Sequence, residues 1–259
     1  MIRILQSNWQ NHTLQALQKS PRFFPQHQSN MVNILSIETS TSVCSVAVHA
    51  DGELISLLEI EESGAHAEKL MLLIGDSIEK AGLHFKDMDA IAVSSGPGSY
   101  TGLRIGVSTA KGLAFGLGRP LIGVETLQAL GSALVLSEGD LVIPVLDARR
   151  MEVYMEVFDW KFNSEEELRS EILSEDSFQN FLKKGRVYFV GNAVEKLKTL
   201  VRNENAEFVT DLSFSAKHMG KISFEKFQKK DFVDIAYFVP NYLKEFKALH
   251  SKKNPLLSS

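Results

Sequence analysis

The sequence predicts an α/β protein of two lobes, each a mixed sheet flanked by helices. Three observations carry this. Three hairpin-linked strands are followed by strands that alternate with helices, which mixes antiparallel with parallel pairing. A second strand hairpin opens a fresh set of elements near Asp140. The 259 residues are 44% hydrophobic and 23% charged, enough apolar surface for one large core or two smaller ones.

Taken in order, Val32–Glu38 reads as a strand, followed by the polar turn Thr39-Ser40-Thr41-Ser42. Val43–Ala50 and Glu53–Ile60 read as two more strands, joined at Asp51-Gly52, a strong hairpin signal. His66–Ala81 reads as a helix, because Leu70, Leu73, Ile74, Ile78 and Ala81 recur at helical spacing and Gly82 follows. Asp89–Ser94 is an apolar strand. A glycine-rich loop comes next, then a helix over 101–117, stopped by Gly118 and Pro120. Leu121–Val124 and Leu127–Leu136 complete a first lobe over residues 31–138. In the second lobe, residues 139–247, Leu141–Asp147 and Met151–Phe158 form a hairpin through Ala148-Arg149-Arg150. The polar stretch around Glu165-Glu166-Glu167 reads as a solvated insertion. Arg186–Val190 is a strand, Ala193–Val201 a helix, Ser213–Phe227 a longer helix, and Pro240–Leu243 a final edge segment. Residues 248–259 read as a flexible tail.

Composition excludes several function classes. Net charge is -4 and no segment stands out as strongly basic, so no nucleic-acid footprint is expected. No apolar run approaches the ~20 residues of a membrane span. The single cysteine, Cys44, allows no intrachain disulfide, and a reduced cytoplasmic compartment is the default. Residues 1–30 contain no Asp or Glu and are rich in Gln and Asn. They read as a start assigned too early, with Met31 the true first residue, or as a disordered or transit segment.

The stretch SGPGSYTGLRIG, residues 95–106, raises the question of phosphate binding. A Walker loop needs Gly-Lys-Ser/Thr at its end, and here Leu103 follows Gly102. Gly96, Gly98 and Gly102 are spaced one residue too far for the dinucleotide fingerprint. The helix that follows carries small residues at Gly102, Gly106, Ala110 and Ala114, with Gly112 and Gly116 besides. Glycines at 106, 112 and 116 together cost about 3 kcal/mol of helix propensity. Close approach of another backbone would offset that. The approaching backbone is either the protein's own or a partner's helix, and the pattern alone does not choose.

Other chemistry is sparse. Thr39 and Ser40 offer hydroxyls that could meet a phosphate, against the plainer reading of a turn. No two histidines share i, i+4 spacing on a helix, and no metal cage is legible. Cys44 sits among apolar strand residues and reads as an inert thiol. Asp147 and Glu152 flank the Arg149-Arg150 turn, where an ion pair within the lobe is the reading rather than acid–base catalysis. No cofactor and no metal are expected.

Three stretches carry a family resemblance: Asn33-Ile34-Leu35-Ser36-Ile37-Glu38-Thr39-Ser40, SSGPGSYTGLRIGVSTAKGLA from Ser94 to Ala114, and Asp147-Ala148-Arg149-Arg150-Met151-Glu152-Val153-Tyr154. Together with Pro240-Asn241-Tyr242-Leu243-Lys244, they resemble the TsaB family of bacterial tRNA threonylcarbamoyladenosine biosynthesis proteins over residues 31 to about 247. The resemblance implies an actin-like ATPase fold of two ribonuclease-H-like lobes. It implies a non-catalytic scaffold or activator that heterodimerises with a larger paralogue, TsaD, and works with a small ATPase, TsaE. That complex would transfer threonylcarbamoyl to adenosine 37 of ANN-decoding tRNAs, so tRNA would be met through the complex, and a homodimer could form when the chain is alone.

Within that resemblance the metal histidine pair of the paralogue is reduced to His66. The Asp-x-Gly phosphate loop of ATPase relatives reads Asp147-Ala148-Arg149, and Val190-Gly191-Asn192 offers one glycine where two are usual. An independent kinase or ATPase of the same fold is the alternative. The helix pair 66–81 and 101–117 would build the partner bundle, with Met71, Gly75, Gly102, Arg104, Gly106 and Ala110 as its contact residues. Thr39 and Ser40 are the candidate nucleotide contacts.

Overall fold

The computed structural model describes residues 31–243 apart from Ser63. The expectations for residues 1–30, for Lys244 and for the tail over 248–259 lie outside the described residues. The first sheet contains β1 (Asn33–Glu38), β2 (Val43–Ala50), β3 (Glu53–Glu61), β4 (Ala90–Gly96) and β5 (Leu121–Glu125), in the order β3-β2-β1-β4-β5. β1 pairs antiparallel with β2, and β2 with β3; β1 and β4, and β4 and β5, run parallel. Asp51 and Gly52 both take positive φ, 48° and 85°, as the tight hairpin requires.

Every residue of β1 and of β4 is buried. Strands covered on both faces read as near-continuous apolar runs, as these do. One face carries Leu35, Ile37, Val46, Val48, Ile91 and Val93 against α1 (Ala65–Lys80) and α2 (Tyr100–Leu117). Leu70, Ile74 and Ile78, one helical stripe of α1, are buried in that layer. Gly118 at φ 63° ends α2 in the left-handed conformation expected of a C-terminal glycine. α3 is shorter than expected and ends at Gly131 (Thr126–Gly131).

The second sheet contains β6 (Leu141–Asp147), β7 (Glu152–Asp159), β8 (Ser164–Ile172), β9 (Val187–Val190) and β10 (Ala206–Val209). Its order is β10-β9-β6-β7-β8. Read from β8, this repeats the first sheet strand for strand: two antiparallel pairings, then two parallel ones. Both lobes thus have the ribonuclease-H-like topology. α4 (Gln179–Leu182) precedes β9, and α5 (Val194–Leu200) separates β9 from β10.

Two expectations are corrected. The acidic stretch near Glu165 is not an insertion but the edge strand β8, paired with β7 from Ser164 to Ile172. Backbone pairing with a core strand overrides its polar composition, and charges on an edge strand deter further pairing. The helix expected over 213–227 is split into a 3-10 turn (Ala216–Met219) and α6 (Gly220–Lys229). A side chain at Gly220 would collide with the Gly52 carbonyl and the His49 ring.

Residues 216–243, expected within the second lobe, pack on the first. Ala216 and Met219 join Ile34, Ala47, Ala92, Ile122 and Val124 on the sheet face opposite α1 and α2. Ser45 Oγ accepts from the Ala216 amide at 2.9 Å, and Val233 bridges to Leu121 on the free edge of β5. The cause is the sheet itself: Ile34, Ala47, Ala90, Ala92, Ile122 and Val124 form an apolar patch on its second face, and the returning segment covers it.

Candidate functional site

The glycine loop between β4 and α2 closes over the β1–β2 turn of the same chain. The Ser99 amide donates to the Ser40 carbonyl at 2.6 Å, and Ser99 Oγ caps α2 by accepting from the Gly102 amide at 3.2 Å. A Cβ on Gly98 would stand 2.5 Å from Ser40 Cβ. One on Gly102 would overlap the Thr39 carbonyl oxygen, and one on Gly106 the Thr39 hydroxyl. Gly96, at φ 110°, leaves room for the Asn241 carbonyl, 2.6 Å from where a Cβ would sit. These glycines serve internal packing: Gly98, Gly102 and Gly106 against the β1–β2 turn and Gly96 against the C-terminal segment, none of them against another helix.

This places three of the six expected contact residues inside the chain. Gly102, Gly106 and Ala110 are buried in the first lobe and present nothing to a partner. Met71, Gly75 and Arg104 lie on the outside, and nothing stands within 4 Å of a side chain at Gly75. The open small residues of α2 are instead Gly112 and Gly116. Beside them Phe115 is 81% exposed, and Leu72 on α1 is 66% exposed. The sequence reading missed Leu72 and Phe115. Their signal was present as apolar residues off the buried stripe of each helix.

Between the lobes lies a cleft of about 940 Å³, lined by Ser40, His66 and Tyr100 on one side and Asp147, Arg149 and Asn192 on the other. Thr39 does not reach it: its side chain lies fully buried beneath Gly106. Of the two candidate nucleotide contacts only Ser40 borders the cleft, and it is 2% exposed.

Across the cleft, Arg149 and Arg150 take φ of 71° and 51°. Two successive non-glycine residues in this region are strained. They are held by Asp147 Oδ1, which accepts from the Arg149 amide at 2.6 Å, and by Lys196, whose Nζ donates to Asp147 Oδ1 and the Arg150 carbonyl. Asn192 Oδ1 accepts from the Asp147 amide at 2.8 Å. The ion pair of Asp147 is therefore made with Lys196, not with the arginines of its own turn.

Buried titratable groups sit behind the site. Burial raises the Glu38 carboxyl above its usual range, although the Ser40 amide donates to it at 2.6 Å. Burial, with Glu38 nearby, pushes the Cys44 thiol up to about 12, which makes it a poor nucleophile. His49, bonded to Ser36 Oγ and the Lys217 carbonyl, is pushed down to about 4 by burial. His218 is also held near 4, by burial and then by the charge of Lys217. Among the described residues no group of three His, Cys, Asp or Glu side chains could hold a metal ion. Nor is any helix among them long and apolar enough to cross a membrane.

The family model for TsaD, tRNA N6-adenosine threonylcarbamoyltransferase, matches residues 61–254. The chain is 31% identical to the tRNA threonylcarbamoyladenosine biosynthesis protein TsaB of Haemophilus influenzae over 174 residues, 62% of this chain and 72% of that one. It is 28% identical to the Bacillus subtilis TsaB over 233 residues, 86% of this chain and 100% of that one. The crystal structure of a Pseudomonas aeruginosa protein with similarity to peptidase YeaZ superposes with a TM-score of 0.71 at 25% identity, covering 83% of this chain and 100% of that one. Two lobes of one repeated topology, a glycine loop locked on the β1–β2 turn and these likenesses agree: the chain belongs to the TsaB family of tRNA threonylcarbamoyladenosine biosynthesis proteins.

Proposed function

We propose that this protein is a non-catalytic subunit in threonylcarbamoyladenosine modification of tRNA, which pairs with a TsaD paralogue through the outer face of α1 and α2. One observation carries the reading. Leu72 and Phe115, at 66% and 81% exposure, stand beside open glycines on a helix pair whose other side is the core of the first lobe. Exposed apolar side chains beside positions without side chains admit another helix at close range. The names of the relatives supply the pathway. In this reading TsaE and tRNA are met through the heterodimer, and the chain supplies surface rather than chemistry. The state of the cleft supports that second half: the Thr39 hydroxyl is sealed, Asp147 is engaged by Lys196, and Arg149 occupies the turn where a phosphate would need bare backbone.

The test is co-purification with the TsaD paralogue of the same cell, and reconstitution of tRNA modification with and without this chain. Phe115→Asp and Leu72→Asp should keep the melting temperature of the isolated protein and abolish both co-purification and modification. Modification that proceeds at the full rate without this chain would refute the proposal.

A further inference from the structure

The C-terminal strap, residues 231–243, lies along the flank of α2. Lys111 Nζ donates to the Ala236 and Phe238 carbonyls at 3.1 Å each, and the Asn241 amide donates to the Ser95 carbonyl at 2.7 Å. The Tyr242 ring lies 4.8 Å from that of Tyr100, over which the Arg104 guanidinium sits at 4.6 Å. Val233, Ile235 and Phe238 turn into the first-lobe core. Tyr237 and Val239 turn outward, 84% and 70% exposed. Between strap and helix runs a groove of about 190 Å³, lined by Arg104, Val107, Ser108, Phe238, Val239 and Pro240 among others. It has room for one side chain of leucine or phenylalanine size.

We infer that the partner-binding surface extends from the α1–α2 pair onto this strap, and that the groove takes an apolar side chain of the TsaD paralogue flanked by a carboxylate. The inference rests on the heterodimer reading above. Two features select this occupant. Four of the exposed residues of α2, Arg104, Ser108, Gly112 and Phe115, follow at three- and four-residue spacing, so a helix laid on Phe115 continues over the groove. The charged residues lining the groove, Arg104 and Lys111, are both basic, and neither has a carboxylate partner among the described residues. A carboxylate docked there meets no acid among the residues that line the groove. The chain's own continuation after Leu243 carries Lys244, Lys247, Lys252 and Lys253 against Glu245. It is like-charged with the groove and is the poorer occupant.

The experiment measures affinity for the purified paralogue together with thermal melts of the isolated protein. Val239→Asp and Tyr237→Ala change exposed side chains, so each should melt with the wild type. Each should weaken binding about tenfold or more. Arg104→Glu should weaken it as well and flatten its salt dependence. Binding by all three within twofold of wild type, while Phe115→Asp fails to bind, would confine the interface to the helix pair and overturn the inference. If the wild type does not bind the paralogue at all, the heterodimer reading itself fails. If these variants instead dissolve a homodimer of the free chain, the occupant is a second copy, and the assignment to the paralogue is wrong.

Discussion

The carbonyl oxygen of Thr39 occupies the place where Gly102 would carry a side chain, so the β1–β2 turn and the first turn of α2 touch backbone to backbone. The contact leaves no room at Gly102 for even a methyl group. Gly112, three turns along the same helix, faces open space.

Gly102→Ala and Gly112→Ala should therefore shift stability in opposite directions. The first forces the turn apart, a packing strain of about 1–3 kcal/mol. The second improves helix propensity by about 0.8–1 kcal/mol. Thermal unfolding reads both, at roughly 2–4 °C per kcal/mol for a protein of this size. A melting temperature unchanged by Gly102→Ala would mean that the turn yields and the contact is not tight.

Glu38→Gln should stabilise the protein at neutral pH. Burial raises the carboxyl's pKa on folding, so its contribution is fully present below the unfolded value of 4.5 and is lost as pH rises through the folded one. Glutamine keeps an acceptor for the Ser40 amide without the buried charge. Urea midpoints at pH 7 and pH 4 should show a gain at pH 7 that shrinks at pH 4. A variant less stable at pH 7 would show that the charge is compensated.

His49 and His218 act in the opposite sense. Their folded values lie near 4, below the ordinary 6.5, so their contribution is present above 6.5 and is lost as pH falls from there toward 4. At full extent each accounts for about 3 kcal/mol. His49→Gln should flatten the loss of stability between pH 6.5 and 4 by roughly half. A profile as steep as the wild type's would place the proton-linked group elsewhere.

Arg149→Gly should relieve a left-handed residue and stabilise the second lobe by about 1 kcal/mol. Lys196→Met, which removes the cation holding Asp147 and the Arg150 carbonyl, should destabilise it. Unfolding of the two variants by urea checks the signs. If both destabilise, the arginine side chain itself braces the turn.

Much of this was legible in the residues themselves. The apolar runs of β1 and β4, the Asp51-Gly52 hairpin, the stripe Leu70-Ile74-Ile78 and the stop at Gly118 are local signals, each arising from the period of its own element or the φ its turn requires. The glycines of α2 also announced a close approach, because a helix does not carry that penalty without a contact to offset it. What approached could not be read, since a small residue records only that space is needed. The fold supplied the turn at Thr39, and so buried Gly102, Gly106 and Ala110 and left the outer face to Leu72, Phe115 and Gly112. In the same way the polar run at Glu165 became β8 only because β7 offered it a free edge, and residues 216–243 crossed back because the first sheet carries an apolar patch on its second face as well. Periodicity determined what each segment is; which surface it covers was decided by the unpaired edges and uncovered faces left by the rest of the chain.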